Sequence, residues 1–465
     1  MTTASEASMT TSLSTTTVVS DFPPPTRSVQ QFLNDAAFGR RRAAIVILGF
    51  IVMTLEGIEI GVWGFVYPQI TGQWGTSLSA ITAIVTIGVI GLSVGSVIAG
   101  PLADRVGRKI IVVVGTTGFG LSTLGGALAA NELALGSFRL AACLFLGAVM
   151  PLTITLVAEF MPERRRTALV GVVFTGFPLG TVLTGVLATT IVPTLGWRWL
   201  LVTGFLMALL LVPFLMVALP ESTIFLVRKG GASARIRSIL GRISPRADVD
   251  SVDLTPPPGP AGVKHKGAVA VVLSRRYVIT SLLVWSLYFI AAAVVYIFLN
   301  YLPLIVSQFG IDAAGTGRVV AVFGVGGVIG ALVTGFAMGR FGQYRVLALA
   351  FGLAAIAAWT IAAAPLTALL LSILAFLIGV VLVGANSGMN ALSASVFPTE
   401  ARATGVSWMH SFGKAGSIVS GLLGGIMISA GWGISGIFLV LGFPLLLGAC
   451  VIVALWLNTR RSTTP

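Results

Sequence analysis

The sequence predicts an all-α membrane protein with twelve transmembrane helices in two pseudo-symmetric six-helix bundles. The 465 residues are 56% hydrophobic and only 9% charged, whereas soluble domains carry about 25% charged residues. Apolar runs long enough to cross a hydrocarbon core of roughly 30 Å recur along the chain. Motifs of the first half return in the second half at a nearly constant offset. A chain of this composition lacks the polar surface of a soluble enzyme.

Twelve apolar segments account for most of the chain. They lie near residues 43–70, 79–102, 110–130, 133–158, 167–192, 197–219, 277–308, 314–338, 346–363, 366–396, 403–429 and 434–457. Residues 1–42 are rich in Ser and Thr, and we predict a disordered cytoplasmic tail without the pattern of a signal peptide. A polar cytoplasmic loop at 220–276 separates the bundles 43–219 and 277–457, and residues 458–465 form a second cytoplasmic tail.

Three pairs of motifs carry the internal repeat. They are Gly100–Lys109 with Gly335–Tyr344, Pro162 and Arg166 with Pro398 and Arg402, and Gly196-Trp197 with Gly431-Trp432. Three independent anchors in one register are hard to obtain by chance, so the repeat predicts a duplicated six-plus-six architecture. In transporters built from such repeats, the substrate site lies between the halves near the bilayer midplane.

The distribution of charge predicts the orientation of the chain. The net charge is +14, and most of the 29 Lys and Arg residues fall in the tails or on one alternating set of loops. Because cytoplasmic loops carry the excess of Lys and Arg, we predict that both termini and the central loop are cytoplasmic, in a cell (plasma or inner) membrane. The basic charge therefore reports topology and not a nucleic-acid partner. Cys143 and Cys450 lie in apolar runs, which argues against a disulfide framework.

The segment Gly100–Lys109 resembles the G-x-L-A-D-R-x-G-R-K loop of the major facilitator superfamily. A narrower resemblance, over nearly all of the membrane portion, is to the aromatic acid:H+ symporter family. It rests on residues 67–75, 159–166, 176–180, 196–198, 219–222 and 398–405. The resemblance implies the major facilitator fold and proton-driven import of a small aromatic carboxylate such as benzoate or hydroxybenzoate. That family typically has Asp-Gly-x-Asp in helix 1, where this chain has Glu56-Gly57-Ile58-Glu59, so the choice of substrate stays open.

Glu56 and Glu59 are the predicted proton-coupling residues. A charged side chain at mid-bilayer costs roughly 2.5–3.5 kcal/mol on insertion scales, so its presence needs a reason. The two residues are three apart and share one face of helix 1. Neighbouring carboxylates in a poorly hydrated site hold a proton more tightly than an exposed one, which suits a group that loads and releases a proton. The alternative is a static ion pair with another helix, and the sequence does not say which glutamate carries the proton.

Three basic residues are candidates for binding the substrate carboxylate. Arg139 in helix 4 could hold it through its fork of donors or neutralise a helix 1 glutamate, and both roles stay open. Lys414 in helix 11 falls near mid-membrane, where it would attract an anion, and the resembling family often has arginine there. His410 lies four residues earlier on the same face and is explained as readily by hydrogen-bonded packing.

An aromatic acid also requires apolar walls and a few hydrogen-bonding groups. Helices 1, 4, 7 and 10 line the cavity in the resembling superfamily, and helix 5 contributes further aromatic residues here. The candidates are Trp285, Tyr288, Tyr296 and Asn300 in helix 7, Asn386 and Asn390 in helix 10, and Phe174 and Phe177 in helix 5. Taken singly, each of them is also explained by packing.

A cytoplasmic charge network is predicted to latch the two halves. Asp104, at the end of helix 2, can pair with arginines or with a helix N-terminus, and the nearby glycines permit close approach and a tight turn. The second copy of the motif has Gly339 in place of Asp104, so the two latches are not equivalent. The predicted gating residues are Gly100, Asp104, Arg105, Gly107, Arg108, Glu159, Arg166, Arg340 and Arg402.

Several classes of function are not supported by the sequence. It contains no Walker phosphate loop, G-x-G-x-x-G turn, metal-spaced Cys/His cluster or serine elbow. We therefore predict no enzyme, no ATP-driven transport, no metal, and no cofactor besides the proton gradient, in a chain that can act as a monomer. The alternatives are a symporter of another organic anion, a non-transporting receptor, which would not need the glutamate pair, and a drug:H+ antiporter. Such antiporters usually carry Gly-Pro in helix 5, where this chain has Phe177-Pro178.

Overall fold

The computed structural model describes residues 27–230, 233–245, 248–250, 252–254, 265–307, 310–365, 367–397 and 401–463. Within them, twelve helical spans are long and apolar enough to cross a membrane. In chain order, spans 1 to 12 are Arg40–Trp74, Leu78–Val106, Arg108–Ala127, Glu132–Phe160, Glu163–Leu195, Trp197–Ala218, Val278–Ser307, Ala313–Phe341, Gln343–Ala363, Ala368–Ser393, Thr404–Ser429 and Ile434–Thr459. They coincide with the twelve predicted segments and confirm the predicted all-α membrane fold.

Two of the spans are interrupted helices. Span 5 consists of Glu163–Phe174 and Gly176–Leu195, which meet at Thr175. Span 10 contains a π-helical turn at Gly379–Val383, where a Cβ on Gly379 would overlap the carbonyl oxygen of Phe323 in span 8. The wide turn therefore lies at the closest contact between spans 8 and 10.

The two halves have the same internal arrangement. In the first half, span 1 packs on span 5, span 2 on span 4, and span 3 on span 6. In the second half, span 7 packs on span 11, span 8 on span 10, and span 9 on span 12. Across the interface, span 5 packs on span 8, span 2 on span 11, and span 1 on span 7. These paired contacts form a pseudo-two-fold pattern, which is the structural counterpart of the sequence repeat.

Span 1 lies at the centre of this arrangement. Of an 18-residue apolar stretch of span 1, 83% is buried inside the protein, which is more than for the corresponding stretch of any other of the twelve spans. Its close packing on span 5 depends on Gly57, because a Cβ there would lie 3.0 Å from the Cα of Gly180 and would overlap the Phe177 carbonyl group. Both glutamates of span 1 are therefore placed in the interior of the protein.

The interface between the halves is closed on one side only. We call the side on which span 1 begins and span 12 ends the terminal face, and the other side the opposite face. Near the opposite face, a Cβ on Gly185 of span 5 would lie 2.5 Å from the carbonyl oxygen of Gly317 in span 8. Span 8 packs along the second helix of span 5, Gly176–Leu195. It touches the first helix, Glu163–Phe174, which is nearer the terminal face, at only a few residues. Spans 5 and 8 are therefore in close contact towards the opposite face and separate towards the terminal face.

The prediction of a disordered tail is wrong for residues 27–42. Arg27–Ser28 form strand β1, and Val29–Asp35 form a helix that begins with a capping box. Phe32 is 4% exposed and Leu33 is fully buried, because the apolar side chains of this segment share one helical face. Residues 1–26 lie outside the described residues.

The predicted central loop contains three helices in its described parts. They are Thr223–Arg228, Ser233–Ile243 and His265–Val272. Val252–Asp253 forms strand β2, which pairs in parallel with β1. This short sheet joins the N-terminal segment to the central loop on the terminal face. The proline run at 256–258 lies outside the described residues.

Candidate site for substrate and proton

Glu59 faces the interior of the first half. Its side chain is fully buried, and Oε1 accepts a hydrogen bond from Nε1 of Trp63 at 3.3 Å and another from the hydroxyl of Thr123 in span 3. Oε2 has no hydrogen-bond partner among the described residues, and it lies 3.1 Å from the position of a Cβ on Gly204 in span 6. Glu59 is thus held by donors of its own half.

Glu56 lies in a different environment from Glu59, although the two residues are only three apart. It is 1% exposed, and its Oε1 has no hydrogen-bond partner among the described residues. Tyr296 of span 7 is close enough to interact with it electrostatically. No described Lys, Arg or His nitrogen lies within 4 Å of its carboxylate. Glu56 therefore faces the other half without a cation beside it.

Arg139 lies next to Trp63 and Tyr67 of span 1. It is 2% exposed, and its Cζ lies 5.0 Å from the centroid of the Trp63 ring, a cation–π contact. It interacts electrostatically with Glu59 and lies beside the Tyr67 hydroxyl, although no hydrogen bond of good geometry joins Arg139 to Tyr67. Its Nε and Nη1 are buried without a hydrogen-bond partner among the described residues. Arg139 therefore has a charge partner and two buried donor atoms that no described residue uses.

Lys414 connects the two halves. Its Nζ donates a hydrogen bond to Oγ of Ser96 in span 2. Arg139 packs against the same span, because a Cβ on Gly88 would lie 3.1 Å from its Nε. Ser96 follows Gly88 by eight residues, or about 12 Å along a helix. The two cations thus lie at different levels along span 2, and Lys414 is nearer the terminal face.

A small cavity lies between spans 5, 7, 8 and 10, at the interface of the halves. Its walls are mostly apolar, and its polar side chains include the hydroxyl of Thr181 and the amide of Asn386. The residues most relevant here are Phe177, Thr181, Val295, Leu299, Phe323 and Asn386. Two of the predicted wall residues, Phe177 and Asn386, therefore line a common space.

Other predicted aromatic residues lie in packing contacts. The Trp285 ring stacks on Phe412, with centroids 4.9 Å apart, and lies 5.2 Å from Trp408. These contacts join spans 7 and 11. Phe174 ends the first helix of span 5 and is 36% exposed. The structure does not bring Trp285 or Phe174 into the small cavity.

The polar wall residues form local contacts. The side chain of Asn300 donates to the carbonyl of Tyr296 at 2.9 Å, and that of Asn390 donates to the carbonyl of Asn386 at 3.2 Å. The rings of Tyr288 and His410 meet edge to face, with centroids 5.1 Å apart. For His410, this contact agrees with the packing alternative.

Part of the predicted gating network is present within the first half. Arg108 forms an ion pair with Glu159, and Glu159 accepts a hydrogen bond from Ser222 Oγ at 2.5 Å. Glu221 accepts hydrogen bonds from the backbone N–H of Arg108 at 2.9 Å and of Lys109 at 3.1 Å. A carboxylate therefore caps the N-terminus of span 3, and the network ties spans 3 and 4 to the central loop.

The other predicted gating residues are not joined across the halves. Gly107 has a φ of 111°, which explains the glycine at this turn, and a Cβ on Gly100 would meet open space. Ion pairs within 4 Å among the described residues do not include Asp104, Arg105, Arg166, Arg340 or Arg402. Their role as a latch stays a prediction for a conformation in which the terminal face is closed.

Four polar neighbours of the site were missed by sequence reasoning. Trp63 and Tyr67 follow Glu59 at intervals of four residues, so helical periodicity could have identified them. Thr123 and Ser96 come from other spans, and no local pattern marks them. Only the packing of the spans brings these two hydroxyls to the charged residues.

The comparisons with known proteins agree with this fold. Residues 45–312 and 284–465 match the family described as Major Facilitator Superfamily. The gallate transporter of Pseudomonas putida is 33% identical over 437 residues, which cover 94% of this chain and 96% of that protein. The 4-hydroxybenzoate transporter PcaK of Pseudomonas aeruginosa is 34% identical over 425 residues, which cover 91% and 95%.

A crystal structure of a D-xylose-proton symporter resembles this fold. It aligns with a TM-score of 0.68 at 17% identity and covers 88% of this chain and 97% of that one. At this identity the likeness concerns the fold alone, whereas the family match and the two relatives extend over nearly the whole chain. The chain therefore belongs to the major facilitator superfamily and, within it, to the family of these gallate and 4-hydroxybenzoate transporters.

Proposed function

We propose that this protein is a proton-coupled importer of small aromatic carboxylates that works by alternating access between its two halves. The observation that supports this most directly is the buried charged group formed by Glu56, Glu59 and Arg139, with Lys414 at the interface. Ionisable residues inside a membrane are costly and mark substrate or proton pathways. The cations suit a carboxylate substrate, and the glutamates suit a proton.

The aromatic class of the substrate is supported by two independent observations. The relatives described above are named for gallate and 4-hydroxybenzoate. The cavity between the halves has apolar walls that include Phe177 and Phe323, with the amide of Asn386 among its polar groups. Ligand sites of this kind hold an apolar body and orient it through few polar contacts. We propose that the ring occupies this cavity and that Asn386 contacts a ring substituent.

The distribution of basic residues supports a cytoplasmic terminal face. Residues 40–42, 105–109 and 164–166 carry clusters of Arg and Lys, and all three lie at the terminal ends of spans. By the positive-inside rule this face is cytoplasmic, in a plasma or inner membrane. In this orientation the structure is inward-facing, because it is closed at the outer face and open towards the cytoplasm.

The transport cycle follows from the positions of the charges. In the outward-facing state a proton binds to the glutamate pair, and the carboxylate binds to Arg139, which is nearer the outer face than Lys414. Neutralising these charges lowers the cost of closing the cavity around them. The halves then rock, and Lys414 offers the carboxylate a second contact nearer the cytoplasm. The cycle needs a proton gradient and no other cofactor, and a single chain contains both halves.

Uptake into proteoliposomes tests the proposed function. Purified protein would be given labelled 4-hydroxybenzoate, gallate or benzoate with an inward proton gradient, and empty liposomes would correct for passive entry of the neutral acids. We expect accumulation that a protonophore abolishes. Failure to carry any of the acids, together with gradient-driven movement of cationic drugs, would contradict the proposal and favour a drug antiporter.

A further inference from the structure

We propose that the two glutamates of span 1 have separate roles, in which Glu56 carries the coupled proton and Glu59 positions Arg139 for the substrate carboxylate. This division rests on the proposed function and makes it more specific. The two residues are three apart on one helix and identical in type, so only their surroundings distinguish them. Those surroundings differ in donors, in cations and in the half of the protein that they face.

The surroundings of Glu56 disfavour a permanent negative charge. Oε1 is buried without a donor among the described residues, and no described cation lies within 4 Å of the carboxylate. Tyr296 is the titratable group that faces it from span 7, and span 5 packs against Gly57 with backbone groups. An unpaired buried carboxylate is expensive, and such a group neutralises by binding a proton. While it is buried in this way, Glu56 is therefore expected to hold a proton until cytoplasmic water reaches it.

The surroundings of Glu59 compensate a negative charge better than those of Glu56. One of its oxygens accepts two hydrogen bonds, from Trp63 and Thr123, although the other has no partner among the described residues. Arg139 of span 4 interacts with it electrostatically from beyond 4 Å, whereas Glu56 has neither the donors nor this cation. Cys143 is the other titratable group near it. A buried arginine without a carboxylate partner would be strongly disfavoured. Glu59 thus keeps Arg139 charged and in place, and Nε and Nη1 of Arg139 are buried without a hydrogen-bond partner among the described residues.

This division predicts the charge balance of transport. A proton binds a Glu56 oxygen from outside water in the outward-facing state and leaves to cytoplasmic water in the inward-facing state. Glu59 and Arg139 remain an ionised pair throughout the cycle. One proton then accompanies one aromatic monocarboxylate, and the transport step moves no net charge. If both glutamates carried protons, each monocarboxylate would bring one net positive charge inward.

The experiment compares Glu56→Gln with Glu59→Gln, which are matched changes on one helix, in proteoliposomes with 4-hydroxybenzoate. Counterflow without a proton gradient reports binding and exchange, and gradient-driven accumulation reports coupling. We expect Glu56→Gln to retain counterflow with a half-saturation concentration near the wild-type value and to lose accumulation. We expect Glu59→Gln to raise that concentration at least about tenfold while the remaining uptake still responds to the proton gradient.

A second measurement does not depend on the folding of any variant. Wild-type protein would be given either a proton gradient or a potassium diffusion potential, negative inside, with valinomycin. We expect the proton gradient to drive accumulation and the potential alone to drive none. Accumulation driven by the potential, or loss of coupling in Glu59→Gln with counterflow retained, would overturn the division. Glu56→Asp keeps a titratable group and is expected to recover part of the accumulation. A complete loss of accumulation in Glu56→Asp would also count against the division of roles.

These outcomes separate the division from the proposed function. If wild-type protein shows no proton-dependent movement of any aromatic carboxylate, the proposed function itself fails. If the wild type is coupled and the two variants behave alike, only the division of roles fails.

Discussion

Replacing Gly185 with alanine is expected to open the interface between the halves at the opposite face. A Cβ at this position would lie 2.5 Å from both the backbone N of Ala321 and the carbonyl oxygen of Gly317. Because favourable contacts between carbon atoms lie at about 3.5–4.0 Å, spans 5 and 8 would have to separate by about 1 Å. These neighbours are backbone atoms, so no side-chain rotation relieves the overlap.

The size of the effect follows from the fact that only one state contains this contact. Overpacking a well-packed interface costs about 1–3 kcal/mol, and the cost applies only while the opposite face is closed. The helical preference of alanine over glycine contributes equally to both states and cancels. The equilibrium between the two states should therefore shift by about 5- to 150-fold towards the state that is open at the opposite face.

Distance measurements between spin labels on spans 5 and 8 check this shift. Labels at Thr190 and Arg318 would report the opposite face, after replacement of Cys143 and Cys450. We expect Gly185→Ala to increase the population of long distances at this face. Gly352→Ala in span 9 is the matched control, because a Cβ there meets nothing within 4 Å. An unchanged distance distribution in Gly185→Ala, or an equal shift in the control, would refute the reasoning.

Three further changes test other parts of the structure. Glu159→Gln removes the anionic partner of Arg108 and should cost about 3 kcal/mol in unfolding free energy, the lower end for a buried pair, measured by denaturation in detergent. Phe32→Ala removes about 3 kcal/mol of packing from the N-terminal helix, so hydrogen exchange of the amides at Val29–Asp35 should accelerate. Lys414→Ala removes the contact with Ser96 and a cationic group, and the KM for 4-hydroxybenzoate uptake should rise at least about tenfold.

Matched controls accompany these three changes. Glu132→Gln removes an exposed carboxylate in the first turn of span 4, and a loss of stability equal to that of Glu159→Gln would contradict the role of the ion pair. Phe38→Ala changes a side chain that is 38% exposed and should leave the exchange rates of the N-terminal helix unchanged. Lys414→Arg keeps the charge, so a KM as high as that of Lys414→Ala would argue against electrostatic binding.

The spans and their pairing could be predicted because both leave local patterns in the sequence. Each span is a long apolar run, and residues such as Gly75 and Gly196, with φ of 65° and 86°, mark where spans 1 and 5 end. The repeated motifs predicted the equivalence of the halves, and the structure shows it as paired contacts. The helix at Val29–Asp35 was missed because only three of its side chains are buried, too weak a signal within a Ser- and Thr-rich segment.

The sequence identified the charged residues of the candidate site but did not predict how they are arranged in space. Glu56, Glu59 and Arg139 are conspicuous because ionisable groups are rare inside membranes. Their different surroundings depend on which spans pack against each side of span 1, and spacing along one helix does not reveal this. The hydrogen bond of Lys414 to Ser96 joins residues of different halves, and nothing in either local sequence indicates the partner.

Substrate-driven proton entry is the most direct test of the proposed function. Proteoliposomes would contain a trapped pH indicator with no imposed gradient, and 4-hydroxybenzoate or gallate would be added outside at a pH at which the carboxylate is ionised. We expect internal acidification that saturates with substrate concentration and exceeds the signal of empty liposomes. Saturable entry of the labelled acid without protein-dependent acidification would contradict proton-coupled import.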